Sequence, residues 1–259
     1  MSDAVTSTIG EQRQTNYALQ PMSEDAFVQA VTEGQSVAPL YFAFAADANR
    51  HERPLLDDQE SPPALTLDET QRLMAGDGVL LDARSPEAFA SGHLRGAINV
   101  GLDGRFAEYA GDVVRPHQPI VVVTDGDRGT EAKVRLARIG LDIPQFAHHT
   151  VETDAGEVAE WSAERAAVQI LDVRNPGEQE AGVIAGARRI PLARLLDRLD
   201  ELDRSVPTVV YCAGGYRSSI AASLLRAHGF ASVADVQGGC TAWVAAGLPV
   251  EDPAVQTPT

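Results

Sequence analysis

With 259 residues, 44% of them apolar, the chain can bury one large core or two of ordinary domain size, and two is the better expectation. Its 37 acidic residues against 21 basic ones leave a formal charge of −16, which repels nucleic acid and anionic membranes and excludes a polyanion partner. There is no apolar run of bilayer-spanning length, the opening MSDAVTSTIGEQRQTN lacks the pattern of a secretory signal, and Cys212 and Cys240 are the only cysteines, so the expectation is a reducing, cytoplasmic setting without a disulfide framework.

Along the chain, residues 1–65 carry few periodic apolar stretches beyond AFVQAVTEG and PLYFAFAA and end in the acidic LLDDQESPPA, which predicts an extension and a linker. The sequence then repeats. LLDARSPEAFASGHLRGAINV from Leu80 is echoed by ILDVRNPGEQEAGVIAGARRI from Ile170, so that Asp82 and Arg84 fall on Asp172 and Arg174, an offset of 90 residues. PIVVVTDGDRGTEAKVRLARIG and PTVVYCAGGYRSSIAASLLRAHG align without gaps at an offset of 89, placing Arg128 on Arg217 and Val123 on Cys212. A period this long predicts two domain-sized copies, 66–152 and 153–252, followed by a tail over 253–259.

In each copy short apolar runs (VLLDA and IVVVT; VQILDV, TVVYC and SVADV) alternate with helical patterns such as PLARLLDRLDEL and SSIAASLLRAHG. Alternation of this kind predicts an α/β fold with one parallel β-sheet flanked by helices per copy. In the second copy Ser218 is placed to cap the helix that Gly229 ends. Lys133 is the one lysine in the chain, and its place suggests no role. The six histidines form neither an HxHxD pattern nor a partnership with a CxxC pair; His148 and His149 read as a polar loop, and no metal or cofactor is called for.

The chemistry concentrates at Cys-Ala-Gly-Gly-Tyr-Arg, residues Cys212, Ala213, Gly214, Gly215, Tyr216 and Arg217. Val209, Val210 and Tyr211 read as a buried strand that stops at Cys212, with a helix starting soon after, and ligands of open parallel sheets bind at such strand ends. The two glycines let the backbone curl so that N–H groups converge, and these dipoles, with the helix N-terminus, favour a thiolate at Cys212. A cation in the first helical turn is disfavoured by the dipole, so Arg217 is expected to answer a carboxylate or an anionic substrate. Cys240, Trp161 and Trp243 read first as packing residues.

These residues resemble the rhodanese sulfurtransferases. DVRNPGE from Asp172, the CAGGYRS loop and GGCTAWVAAGLPV from Gly238 carry the resemblance through nearly all of the second copy. It implies two rhodanese-like domains and a ping-pong reaction, in which Cys212 takes sulfane sulfur from thiosulfate or a persulfide and passes it to a thiol or a cyanide-like acceptor. It further implies that residues 213–217 bind the substrate, that Glu178 braces Arg217, and that Asp172 and Arg174 hold the strand end. Val183 stands where the family often has histidine. The first copy resembles the same domain, but its Val-Thr-Asp-Gly-Asp-Arg loop has Val123 for the nucleophile. Ala88 stands in place of Glu178 and leaves Arg128 without that brace, and Asp125 and Asp127 oppose an anion, so this copy is expected to be inactive. STIGEQRQTNYALQPM with Phe27, PLYF and Asn49 is similar to the closing stretch of metallo-β-lactamase-fold hydrolases and persulfide dioxygenases, and the resemblance, with the two copies that follow, implies a persulfide dioxygenase as a fused domain or partner. The competing readings are a non-catalytic interaction module and a cysteine-based phosphatase. Four residues separate Cys212 from Arg217, where resemblance to the phosphatases would require five.

Overall fold

The computed structural model describes residues 6–33, 35–52, 56–141, 144–147 and 168–252; His148, His149, Trp161, the expected boundary at residue 152 and the tail fall outside the described residues. The chain divides into two compact units, Met1–Ser36 and Val37–Thr259.

The first unit holds α1 (Ile9–Thr15) and α2 (Glu24–Thr32), whose first turns are capped by the side chains of Thr8 and Ser23. Neither helix buries a residue, and Ile9, Tyr17, Leu19, Phe27 and Val28 are exposed.

The second unit opens with α3 (Tyr41–Ala48), whose Tyr41 packs on the main core. The acidic linker that follows is strapped down by Lys133, whose buried ammonium donates to the carbonyls of Asp57 (2.9 Å) and Glu60 (2.8 Å). The only lysine of the chain therefore has a structural task that sequence reading left open. The first copy then runs β1 (Ala64–Leu65), α4 (Leu67–Met74), β2 (Val79–Asp82), α5 (Pro86–Ser91), β3 (Ile98–Asn99), α6 (Phe106–Val113), β4 (Ile120–Val123), α7 (Gly129–Ala137) and β5 (Pro144–Ala147). The second runs β6 (Gln169–Asp172), α8 (Pro176–Gln179), β7 (Arg188–Arg189), α9 (Leu192–Leu195), β8 (Thr208–Tyr211), α10 (Tyr216–Ala227), β9 (Val233–Asp235) and α11 (Gly239–Ala245).

Both sheets are parallel throughout, in the orders β1-β5-β4-β2-β3 and β7-β6-β8-β9. Their central strands, VLLD with IVVV and QILD with TVVY, are largely buried, as expected of sheets covered by helices on both faces. Two helical expectations need correction. PLARLLDRLDEL is not one helix but the short α9 and a separate 3-10 turn at Leu199–Glu201, joined through a non-helical Arg198. Helix α10 begins at Tyr216 with Gly215 as its left-handed cap, so Ser218 lies inside the first turn rather than capping it.

The two copies share one continuous core. Ile98, Val100, Leu102 and Phe106 of the first belong to the same apolar cluster as Leu192, Leu195, Ile220 and Leu224 of the second. Helix α10 packs on the edge strand β3 and α9 packs on α6. The backbone N–H of Asn99 donates to Ser223 Oγ at 3.0 Å across this contact, and Arg115 pairs with Asp197 at 2.7 Å.

Candidate active site

Cys212 follows β8 directly and is buried, with only 1% of its surface exposed. The loop to α10 turns back on it, so that the N–H of Gly215 donates to Cys212 Sγ at 3.1 Å, a turn that Gly215 makes at φ +102°. The first-turn N–H groups of α10 have no acceptor within the helix and add their dipoles to that end. The carbonyls of the loop are drawn the other way: Cys212 O accepts from the N–H of Cys240 at 2.7 Å and Ala213 O from that of Thr241 at 3.0 Å, both at the start of α11. The Gly215 N–H therefore faces the sulfur while these carbonyls are tied off elsewhere. Gly239 makes this possible, since a β-carbon there would collide with Cys212 O and Ala213 O. The role of Gly238 and Gly239 as a clamp on the loop escaped the residue-by-residue reading; the adjacent glycines were its only signal.

Ser218 Oγ lies 3.6 Å from the sulfur and donates to Gly215 O at 2.9 Å, so this hydroxyl braces the loop from within. Arg217, expected to answer a carboxylate or an anion, meets a carboxylate: Nη1 and Nη2 donate to the two oxygens of Glu178, each at 2.6 Å. The pair is mutually reinforcing, since Arg217 holds the Glu178 carboxyl below its usual range and Glu178 raises the guanidinium further. Glu178 Oε2 also accepts the N–H of Asn175 at 3.0 Å, which anchors it to the start of α8.

Asp172 and Arg174 form a second, buried pair behind the loop. Arg174 donates to Asp172 through Nε (3.0 Å) and Nη2 (2.7 Å), to Gly182 O (2.8 Å) and to Glu178 O (3.2 Å). Asp172 ends β6, so this fork fixes the segment carrying Glu178 to the strand beside Cys212. Val183 is buried and exchanges backbone hydrogen bonds with Glu251 at 2.9 and 2.7 Å. The side chain of Tyr216, expected against substrate, instead turns to the first copy, where its hydroxyl donates to Gly101 O at 2.7 Å.

Cys240 packs in the cluster of Tyr211 and Ile184, whereas Cys212 belongs to the main core. Tyr211 and Cys212 are consecutive at the end of an extended strand, so their side chains point to opposite faces and the two thiols lie on different sides. Among the described residues there is no group of His, Cys, Asp and Glu that could hold a metal ion, and no helix is long and apolar enough to cross a membrane.

The first copy departs from the gapless alignment. Asp82 pairs with Val123, and Asp172 with Tyr211. The N–H of Ala83 donates to Val123 O and that of Val173 to Tyr211 O. By ladder register Val123 stands where Tyr211 stands, and the residue at the position of Cys212 is Thr124. Three residues then separate Thr124 from Arg128, one fewer than between Cys212 and Arg217, which closes a smaller loop. Arg128 is also not without partners: it pairs with Asp103 and Glu131, each at 2.9 Å, on the surface. These local carboxylates replace the partner that Ala88 cannot provide.

Comparison with known proteins agrees with the repeat. The family described as "Rhodanese-like domain" matches residues 66–151 and 154–246. A sulfurtransferase of Allochromatium vinosum is 31% identical over 102 residues, 39% of this chain and 95% of that protein. The uncharacterized protein YqhL of Bacillus subtilis is 41% identical over 75 residues; the match takes in 29% of this chain and spans 60% of that protein's length. Among solved structures, a metallo-β-lactamase from Staphylococcus aureus aligns at 27% identity with a TM-score of 0.45, covering 55% of this chain and 40% of that one.

Proposed function

The chain belongs to the rhodanese-like domain family, and from that premise we propose that it is a sulfurtransferase carrying sulfane sulfur as a persulfide on Cys212. The thiolate attacks the outer sulfur of thiosulfate; a new S–S bond forms on Cys212, the donor's S–S bond breaks, and sulfite leaves with its electron pair. An acceptor nucleophile, cyanide or a thiolate, then attacks the carried sulfur and returns the Cys212 thiolate. The observation that carries this reading is the Gly215 N–H directed at Cys212 Sγ while the carbonyls of Cys212 and Ala213 are bound by α11. That arrangement sets a hydrogen-bond donor against the attacking sulfur and, after transfer, against the persulfide it carries.

Arg217, neutralised by Glu178, shapes the mouth of the loop, and the donor's anionic end meets backbone N–H groups there. The first copy, with Thr124 in a shorter and acidic loop, is read as inactive in transfer. A persulfide dioxygenase is proposed as the companion activity; the exposed apolar residues Phe27 and Val28 on α2 suit a surface that another domain or protein covers. Transfer from thiosulfate to cyanide tests the central reading. Cys212→Ser should reduce turnover to background, because a hydroxyl is not ionised at neutral pH; substantial residual turnover would refute the assignment.

A further inference from the structure

An inactive first copy needs a reason to be joined to the live loop so closely. The loop residue between Gly215, which bonds the sulfur, and Arg217, which bonds Glu178, is Tyr216, and its side chain leaves its own domain. Its hydroxyl donates to Gly101 O at 2.7 Å, and its ring lies 5.5 Å from that of Tyr109, both in the first copy. Gly104 forms the floor of this slot: a β-carbon there would stand 2.6 Å from Cζ and Oη of Tyr216. No positive φ asks for glycine at position 104, so the tyrosine ring alone explains the missing side chain. Arg135 of α7 holds the turn in shape by donating to the carbonyls of Leu102 and Gly104.

We propose that the Gly101–Gly104 turn and Tyr109 of the first copy form a positioning site for the Cys212 loop, with Tyr216 as the key that holds Gly215 and Arg217 in place. The inactive copy is thereby a working part of the second copy's site. This deepens the sulfur-transfer reading and rests on it for the meaning of the loop. Tyr216 acts through its two neighbours and touches no reacting atom, so it is a positioning residue. Displacing a catalytic group by about 1 Å can cost a hundredfold in rate, and Tyr216 is covalently next to both groups.

The test is a double-mutant cycle in the full chain carrying Cys240→Ser, comparing Gly104→Ala, Tyr216→Ala and both together. Two readouts are taken: kcat and KM for thiosulfate-to-cyanide transfer, and the rate of Cys212 alkylation by iodoacetamide with no sulfur donor present. Gly104→Ala is expected to lower kcat by about tenfold or more and to change the alkylation rate. The double variant should be no worse than Tyr216→Ala, since the clash disappears with the ring. Gly126→Ala, in the first copy's own loop, strains a backbone held at φ +58° although its added β-carbon meets nothing within 4 Å; it therefore controls for simple destabilisation of that copy away from the Tyr216 slot and should leave both readouts unchanged. If Tyr216→Ala does not fold, Tyr216→Phe keeps the ring, loses only the bond to Gly101, and should still lower kcat. Additive losses in the cycle, wild-type kinetics in Gly104→Ala, or equal losses in Gly126→Ala would overturn the proposal. A chain that transfers no sulfur but retains Gly104–Tyr216 coupling in alkylation would refute the sulfurtransferase reading and leave the positioning site standing.

Discussion

Replacing Glu178 with glutamine removes one charge and leaves the shape of the side chain intact. The carboxylate now accepts two hydrogen bonds of 2.6 Å from Arg217, whereas the amide offers one oxygen and sets an N–H against the other guanidinium nitrogen. The loss is therefore about one charge-assisted hydrogen bond, about 1.5–3 kcal/mol in a protected setting. The Glu178 side chain is 34% exposed, so water recovers part of this, and about 2 kcal/mol remains as the cost of misplacing Arg217. Expressed in kcat/KM for thiosulfate, that is about thirtyfold. The pH dependence carries a second signature. Arg217 lowers the Glu178 carboxyl from its ordinary value of 4.5, so the pair's contribution is present above that value and is lost only as the pH falls through the lowered one. Wild type should lose activity through this pair only in strong acid, and Glu178→Gln should lack that limb while being slower at every higher pH. Steady-state kinetics on both proteins from acid to neutral pH measure this, and an unchanged kcat/KM in Glu178→Gln would refute the role given to the brace.

Cys240→Ser should keep most of the transfer activity, because that thiol packs beside Tyr211 on the opposite face from Cys212; a loss comparable to that of Cys212→Ser, in the same assay, would assign Cys240 a chemical role. Thr124→Cys, made with Cys212 already replaced by serine, should stay at background, since the first copy's loop is a residue shorter and carries Asp125 and Asp127; turnover near the natural level would show that only the nucleophile was missing. Asp112 is buried in α6 with Oδ1 lacking a hydrogen-bond partner among the described residues. Its pKa is raised to about 7 by burial first and then by Glu108, against the Leu40 N–H, Arg194 and Arg105. A carboxyl raised in this way stabilises the fold when protonated and loses that contribution as pH rises through the raised value. The thermal midpoint of wild type should therefore fall relative to Asp112→Asn as the pH rises from about 4 to about 7 and level off above that, and parallel midpoints across that window would contradict the assignment.

The fold was legible where burial writes a continuous apolar run. VLLDA, IVVVT, VQILDV, TVVYC and SVADV each contain a strand, because both faces of a parallel sheet are covered. The edge strands Ile98–Asn99 and Arg188–Arg189 were not legible: two residues cannot display a period, and arginines are not a strand signal. At the site, the order Cys-Gly-Gly-Arg specified a loop, and the structure places Glu178 on Arg217. The gapless comparison of the two copies misplaced the counterpart of Cys212 by one residue, because both strands are apolar enough to slide without penalty in an alignment. Hydrogen-bond register does not slide, and it assigns Thr124 to that position. Contacts that close through space, such as Tyr216 on Gly101 and the Gly239 clamp, join residues with no local pattern linking them.

Mass spectrometry of the protein after exposure to thiosulfate addresses the central claim most directly. The account predicts one added sulfur atom on the peptide containing Cys212, removed by cyanide with formation of thiocyanate and absent in Cys212→Ser. Sulfur found on Cys240, or no added sulfur under conditions in which Cys212 remains reactive to alkylation, would contradict it.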